Sequence, residues 1–309
     1  MAMKWRKKVI LAKIETTYGV DAVPIGAANA IQITNVELNP MEGDTTSRNL
    51  VRPTLGNDVQ IHVGTHVKLS FDVEVAGSGV AGTAPKYGVL LRGCGLAETV
   101  NVDNVEYDPV SSGEEALTIY LNIDGQRHPM IGSRGTVSIK LDPKGLPYYH
   151  FEFTGLWVDP ASAAMPVPDF SGFTLPLAVT NDNTPTFTLH GLANKVAAFN
   201  FDQNNGVFYD NLVGEEAVDV NDRKPSGGIT IEAPTLATKN WFTTAKASTL
   251  STLQFVHGIT AGNIVQFDAP QVQVLQPKYS ERNGKVMMPM GLSFIPTDAG
   301  DDEFKITVK

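Results

Sequence analysis

Residues 67–75 alternate at every step. Val67, Leu69, Phe71, Val73 and Val75 fall on one parity, and Lys68, Ser70, Asp72 and Glu74 on the other. Successive side chains of a strand point to opposite faces, so this run is a half-buried β-strand. The same period returns in 117–123, 137–141, 150–156, 229–231 and 272–275. Turn signals separate these runs, among them Asp124-Gly125, Pro143-Lys144-Gly145, Asn204-Asn205-Gly206, Ser226-Gly227-Gly228 and Asn283-Gly284. With 28 Gly and 19 Pro to supply turns, the chain reads as mainly β. Only 84–96, with Pro85 near its start, and 240–256 carry helical spacing.

The order of these segments repeats. A strand at 31–38, a polar loop at 39–65, a strand at 67–75, a helix and two hairpin-like strand pairs end near Trp157. A strand at 196–201, a polar loop at 202–227, a strand at 228–233, a helix and a similar strand series follow. Both series contain a Pro-Lys, in Leu141-Asp142-Pro143-Lys144 and Leu275-Gln276-Pro277-Lys278, although the apolar parity slips by one residue before it. A length of 309 residues suits two domains. The expected division is an N-terminal arm over 1–30, a first domain over 31–158, a linker rich in Pro, Ala, Ser, Thr and Asn over 159–185, and a second domain over 186–309.

Chemistry finds few anchors. The net charge of -9 gives no basic footprint for gripping nucleic acid. Cys94 is the one cysteine, so neither an internal disulfide nor a zinc site of several thiolates is available, and folding in a reducing cytoplasm is expected. No apolar run of about 18 residues exists. The basic start is followed by an apolar stretch broken by Lys13 and Glu15, so no signal peptide is expected. Gly77-Ser78-Gly79-Val80-Ala81-Gly82 matches a dinucleotide fingerprint. It follows an alternating strand, not the continuously apolar one of a doubly wound sheet, and reads instead as a surface connector. The six histidines are scattered. The pairs Glu114-Glu115 and Glu215-Glu216, and the run Asp301-Asp302-Glu303, sit beside turns and read as a solvated acidic rim, because adjacent strand carboxylates face opposite ways. No catalytic residue, metal ligand or cofactor site is assigned. A carbohydrate-binding or enzymatic β-sandwich would need a pocket with converging polar groups.

Features of assembly remain. Polar loops longer than about 12–15 residues are seldom passive. The first mixes charges with apolar anchors, and Glu42, Asp44, Arg48 and Arg52 are its candidate contacts to other subunits. Trp5 among Arg6, Lys7 and Lys8 forms a second candidate contact, suited to an acidic neighbour.

The stretches 13–21 (Lys-Ile-Glu-Thr-Thr-Tyr-Gly-Val-Asp), 26–31, Met41-Glu42-Gly43-Asp44, 52–56, 71–79 and Ala84-Pro85-Lys86-Tyr87-Gly88 together resemble the major tail (tail tube) proteins of long-tailed bacteriophages. The likeness covers roughly the first hundred residues; beyond them it rests on the repeat. It implies a β-sandwich flanked by a helix, six of which form a ring around a central β-barrel. Two such tandem domains per chain imply a homotrimer ring with pseudo-sixfold symmetry. It further implies stacking into a tube in the virion tail, assembly in the host bacterial cytoplasm, and contacts with tape measure, tail terminator and distal tail proteins. Genomic DNA would pass through the lumen without specific binding, and no membrane insertion is implied. An acidic lumen would repel phosphate, with Asp72 and Glu74 as candidate lumen-facing residues. The alternative is another virion component, a tail terminator or a head decoration protein.

Overall fold

The computed structural model describes residues 2–309. The first half runs β1 (Lys8–Ile14), α1 (Gly26–Asn29), β2 (Ala30–Ile31), β3 (Thr34–Ser47), β4 (Gln60–Glu74), α2 (Gly88–Gly93), β5 (Leu96–Val100), β6 (Val105–Pro109), β7 (Leu117–Ile123), β8 (Gln126–Leu141) and β9 (Tyr148–Trp157). The rest runs β10 (Ala161–Ser162), β11 (Thr186–Leu189), β12 (Leu192–Ala193), β13 (Val196–Asp202), β14 (Asn205–Leu212), β15 (Glu215–Arg223), β16 (Ser226–Glu232), α3 (Trp241–Lys246), β17 (Leu250–His257), β18 (Val265–Leu275), β19 (Ser280–Arg282), β20 (Lys285–Phe294) and β21 (Lys305–Val308). The protein is mainly β.

All the ladders are antiparallel, and one strand order occurs twice. The first half is laid out β1-β7-β8-β9-β4-β3. The second is laid out β11-β17-β18-β20-β16-β13. Each has a short helix in the connection that follows β4 or β16. Alternation places Val67, Leu69, Phe71 and Val73 of β4 inside, against Tyr149, Phe151 and Phe153 of β9. In the second half Phe199, Phe201, Phe255, Phe267, Phe294 and Phe304 form the corresponding aromatic centre, with Phe201 and Phe304 rings 4.7 Å apart. Ring pairs at such spacing add to the area they bury.

Backbone ladders cross from one half to the other. The end of β8 pairs with β13, Ile139 opposite Phe201 and Lys140 opposite Asn200. The hairpin β5-β6 pairs through β6 with the C-terminal β21, which lies beside β18. One continuous apolar cluster therefore holds residues of both halves. The segment 159–185 expected as a linker is largely irregular, and it is pinned where His257 meets Leu177 O (3.1 Å) and Thr184 (2.9 Å).

Several sequence expectations change. The helical spacing over 240–256 spans two elements: α3, capped by Asn240 accepting from Thr243 N, and the strand β17. In β17 the inward residues Leu253, Phe255 and His257 follow period two, and Leu250 is exposed. The helix expected over 84–96 contracts to Gly88–Gly93. The two polar loops are mostly hairpins, β3-β4 pairing out to Ser47 opposite Gln60, and β14-β15. Solvent on both faces of the outer β3-β4 arm removes the apolar alternation that betrays a strand. The two Pro-Lys pairs are not equivalent. Pro143-Lys144 lies in the turn between β8 and β9, whereas Pro277-Lys278 interrupts the path from β18 to β19, and the matching turn is Asn283-Gly284.

Candidate functional site

Four of the expected contact residues lie on one projecting arm. Glu42 and Asp44 stand on the outer part of β3, whose ladder with β4 slips twice between Asn39 and Asp44, beside Pro40. Such bulges bend and twist a hairpin away from its sheet. Arg48 and Arg52 sit on its tip, where Arg52 pairs with Asp58 at 2.6 Å. Glu42 lies 3.9 Å from Lys68, which ties the arm to its own root. Val51, Leu55 and Val59 are exposed along the tip.

The second expected contact is docked. Lys4 N donates to Asp124 at 2.7 Å and Lys7 pairs with the same carboxylate at 3.2 Å, anchoring the N-terminal segment to the β7-β8 turn. The Lys4 N–H, then Lys7, hold Asp124 below the usual carboxylate range. Lys8 opens β1, which pairs with β7 along its whole length, and its ammonium lies 3.1 Å above the Trp5 ring. Burial lowers the Lys8 pKa. Trp5 nevertheless stays 72% exposed and Arg6 is exposed. The structure does not bring this cluster together with the β3-β4 arm in any contact it records.

Asp72 and Glu74 lie on the face of β4 turned away from the core. Asn35 Nδ2 donates to Asp72 at 2.7 Å, and His150 Nδ1 lies 2.6 Å from the same carboxylate. His150 Nε2 is 3.3 Å from Glu152. On the outer face of β4 and β9, Asp72 and Glu152 flank the His150 imidazole, and Glu74 and Lys68 share that face.

The second hairpin takes a different course from the first. β14-β15 folds back over β8 and β9 of the first half. Arg134 reaches from β8 to Val218 O (2.8 Å) and Asp219 (2.5 Å), and its guanidinium stacks over Tyr18 at 5.0 Å. Tyr18 accepts from Val218 N at 2.6 Å. Burial raises the Tyr18 pKa, and the Val218 backbone bond partly offsets this. Tyr209 stacks on His66 with ring centroids 4.5 Å apart.

The carboxylates read as a solvated rim are largely engaged. Arg223, at the end of β15, binds buried Glu303 (3.0 Å), Asp301 (2.8 Å) and Val110 O (2.8 Å), so two distant segments converge on it. Glu115 takes two bonds from Arg92, both at 2.6 Å. Sequence reading missed these pairs because the partners are remote in the chain. The glycine motif also acquires a packing role. A Cβ on Gly77 would stand 2.1 Å from Gly262 O of the second half, and one on Gly82 2.1 Å from Val102 O of the β5-β6 turn, so the motif lets its loop touch both neighbours backbone to backbone.

Several strand edges are open. Among the described residues β3 pairs only with β4, and β19 only with β20. Open edges are assembly surfaces unless they are blunted. Among the described residues no His, Cys, Asp or Glu cluster suits a metal ion, and no helix is long and apolar enough to cross a membrane.

A search of curated proteins returned no match. The family described as phage tail tube protein matches residues 5–296, nearly the whole chain. A mainly β subunit with open strand edges and a projecting hairpin is consistent with that match, and the chain belongs to the phage tail tube protein family.

Proposed function

We propose that the chain polymerises into stacked rings that form the tail tube through which DNA leaves the virion. The observation that carries this reading is the doubled strand order, β1-β7-β8-β9-β4-β3 and β11-β17-β18-β20-β16-β13, with its two members joined side by side by the β8-β13 ladder. Each chain then supplies two adjacent sandwich positions, 31–158 with β1 added from the N-terminal segment and 186–309, and three chains close a pseudo-sixfold ring. Repetition of a head-to-tail contact generates a closed ring when the rotation closes.

In this arrangement the outer face carrying Asp72, Glu74 and Glu152 lines the lumen. Negative charge there repels phosphate and prevents the counterion release that would make DNA stick. The arm bearing Glu42, Asp44, Arg48 and Arg52 reaches the next ring, and the Trp5–Lys8 cluster offers cations to an acidic neighbour. Tape measure, tail terminator and distal tail proteins meet the tube inside and at its ends.

Negative-stain electron microscopy of the purified protein tests the reading. Rings or hollow tubes are expected, and replacing 43–62 by a tight turn is expected to leave rings that no longer stack. A strictly monomeric particle at every concentration would overturn it. A copy number in intact virions far below that of a tube subunit would favour a terminator instead.

A further inference from the structure

The intrachain junction between the two repeats offers a template for a contact between chains. At that junction β13, the edge strand of the second repeat, completes its pairing on the far end of β8, the hairpin strand of the first. Phe201 lies opposite Ile139 and Asn200 opposite Lys140. The two repeats can be aligned through their ladders. Leu69 faces Phe153, which faces Gly135, as Gly227 faces Leu292, which faces Val274. Tyr148 and Phe153 are separated by as many residues as Met287 and Leu292, and their partners across the hairpin are Lys140 and Ser280. Glu37 and Leu38 stand opposite Ser70 and Leu69 as Asn200 and Phe201 stand opposite Gly228 and Gly227. By this alignment β3 takes the place of β13, and β19 takes the place of the end of β8.

Both replacements lack the neighbour that the junction provides, and their side chains show it. Phe199 and Phe201 are buried on the covered edge, whereas Val36 and Leu38 are only half-buried although they pack on the same core. Ile139 and Leu141 are buried; Tyr279, in the place of Ile139, is 57% exposed. Charge is complementary as well. Glu37, Glu42 and Asp44 run along β3, and Lys278, Arg282 and Lys285 outnumber Glu281 in and around β19.

Resting on the ring reading above, we propose that β3 of one copy adds antiparallel to β19 of a second copy of this chain, with Leu38 opposite Tyr279 and Glu37 opposite Ser280. The contact is heterologous, so each subunit offers one edge and receives another. It satisfies both open ladders by β-augmentation. It also covers the half-exposed apolar residues that the chain alone leaves in water.

Cysteine pairs test the register. Directly opposed strand residues place their Cβ atoms about 4.5–5.5 Å apart, close enough for a disulfide to form. Glu37→Cys with Ser280→Cys, oxidised by diamide after assembly, is expected to give reducible products larger than one chain. Each single variant should give none from this pair. Lys140→Cys with Asn200→Cys, the same step inside the chain, should close without changing the chain count. The native Cys94 is buried and does not compete. Rings or tubes visible by electron microscopy without a 37–280 link, while 140–200 closes, would overturn the edge pairing and leave the tube reading standing. Failure of the unmodified chain to form any ring would overturn the tube reading, and this contact with it.

Discussion

Arg223 shows how much a single side chain holds in this protein. Its guanidinium joins Glu303 and Asp301 near the C-terminus to Val110 O of the first half, from the end of the second hairpin. Arg223 and Glu303 are both largely removed from water. Removing one member of such a pair strands the other charge in a poorly solvated place, which costs about 3 kcal/mol or more. Arg223→Met is therefore expected to destabilise by about 3 kcal/mol. Urea unfolding should show a lower midpoint with an unchanged slope. A shift within about 0.5 kcal/mol would mean that the network is a surface feature of little weight. This network was not legible in the sequence. Asp301-Asp302-Glu303 looked like a solvated run because its cationic partner lies about eighty residues away. Asp72 and Glu74 were legible, because strand parity alone turns them from the core.

The hairpins mark the limit of pattern reading for elements. β4, β8 and β9 declare themselves because one face is buried and the other is wet, so hydropathy has period two. The outer β3-β4 arm is exposed on both faces and carries no such signal, and β14-β15 buries only the adjacent pair Ala217 and Val218, which sets no period. The helical reading of 250–256 failed for a related reason, since a short apolar run fits both periods and tertiary packing decides between them. The two hairpins also differ in fate. β14-β15 is held by Arg134 of β8, by Tyr18 of the segment after β1 and by the stack of Tyr209 on His66 of β4, whereas the outer β3-β4 arm projects. Arg134→Ala should release β14-β15 while leaving the sheets intact. Amide exchange is expected to rise at least tenfold across 205–223, with protection of β8, β9 and β20 unchanged. Equal loss of protection everywhere would show that Arg134 supports the core and not the hairpin.

For the whole molecule, the doubled strand order and the ladders between its two members have a consequence for folding. Phe199 and Phe201 are buried partly because β8 covers β13, and β21 completes a sheet that includes β6. A half expressed alone exposes these residues and leaves two ladders open. The protein before assembly is expected to melt in a single calorimetric transition, with calorimetric and van't Hoff enthalpies equal. Two resolved transitions would show that the halves are independent folding units and that the β8-β13 ladder is weak. The same fusion bears on the ring. A junction built into the chain does not have to be formed by collision, so half of the strand contacts around a three-chain ring would be in place before any subunits meet.

The amino-acid sequence by itself determined the β class and the doubled order of elements. It also carried the likeness to tail tube proteins, because alternation, turn residues and composition are local properties. Only the tertiary structure decided which hairpin folds back and which projects, where remote charges meet, and which edges stay open. Those outcomes depend on what lies beside a strand, and a neighbour that is remote in the chain, or on another copy of it, leaves no mark on the strand's own period.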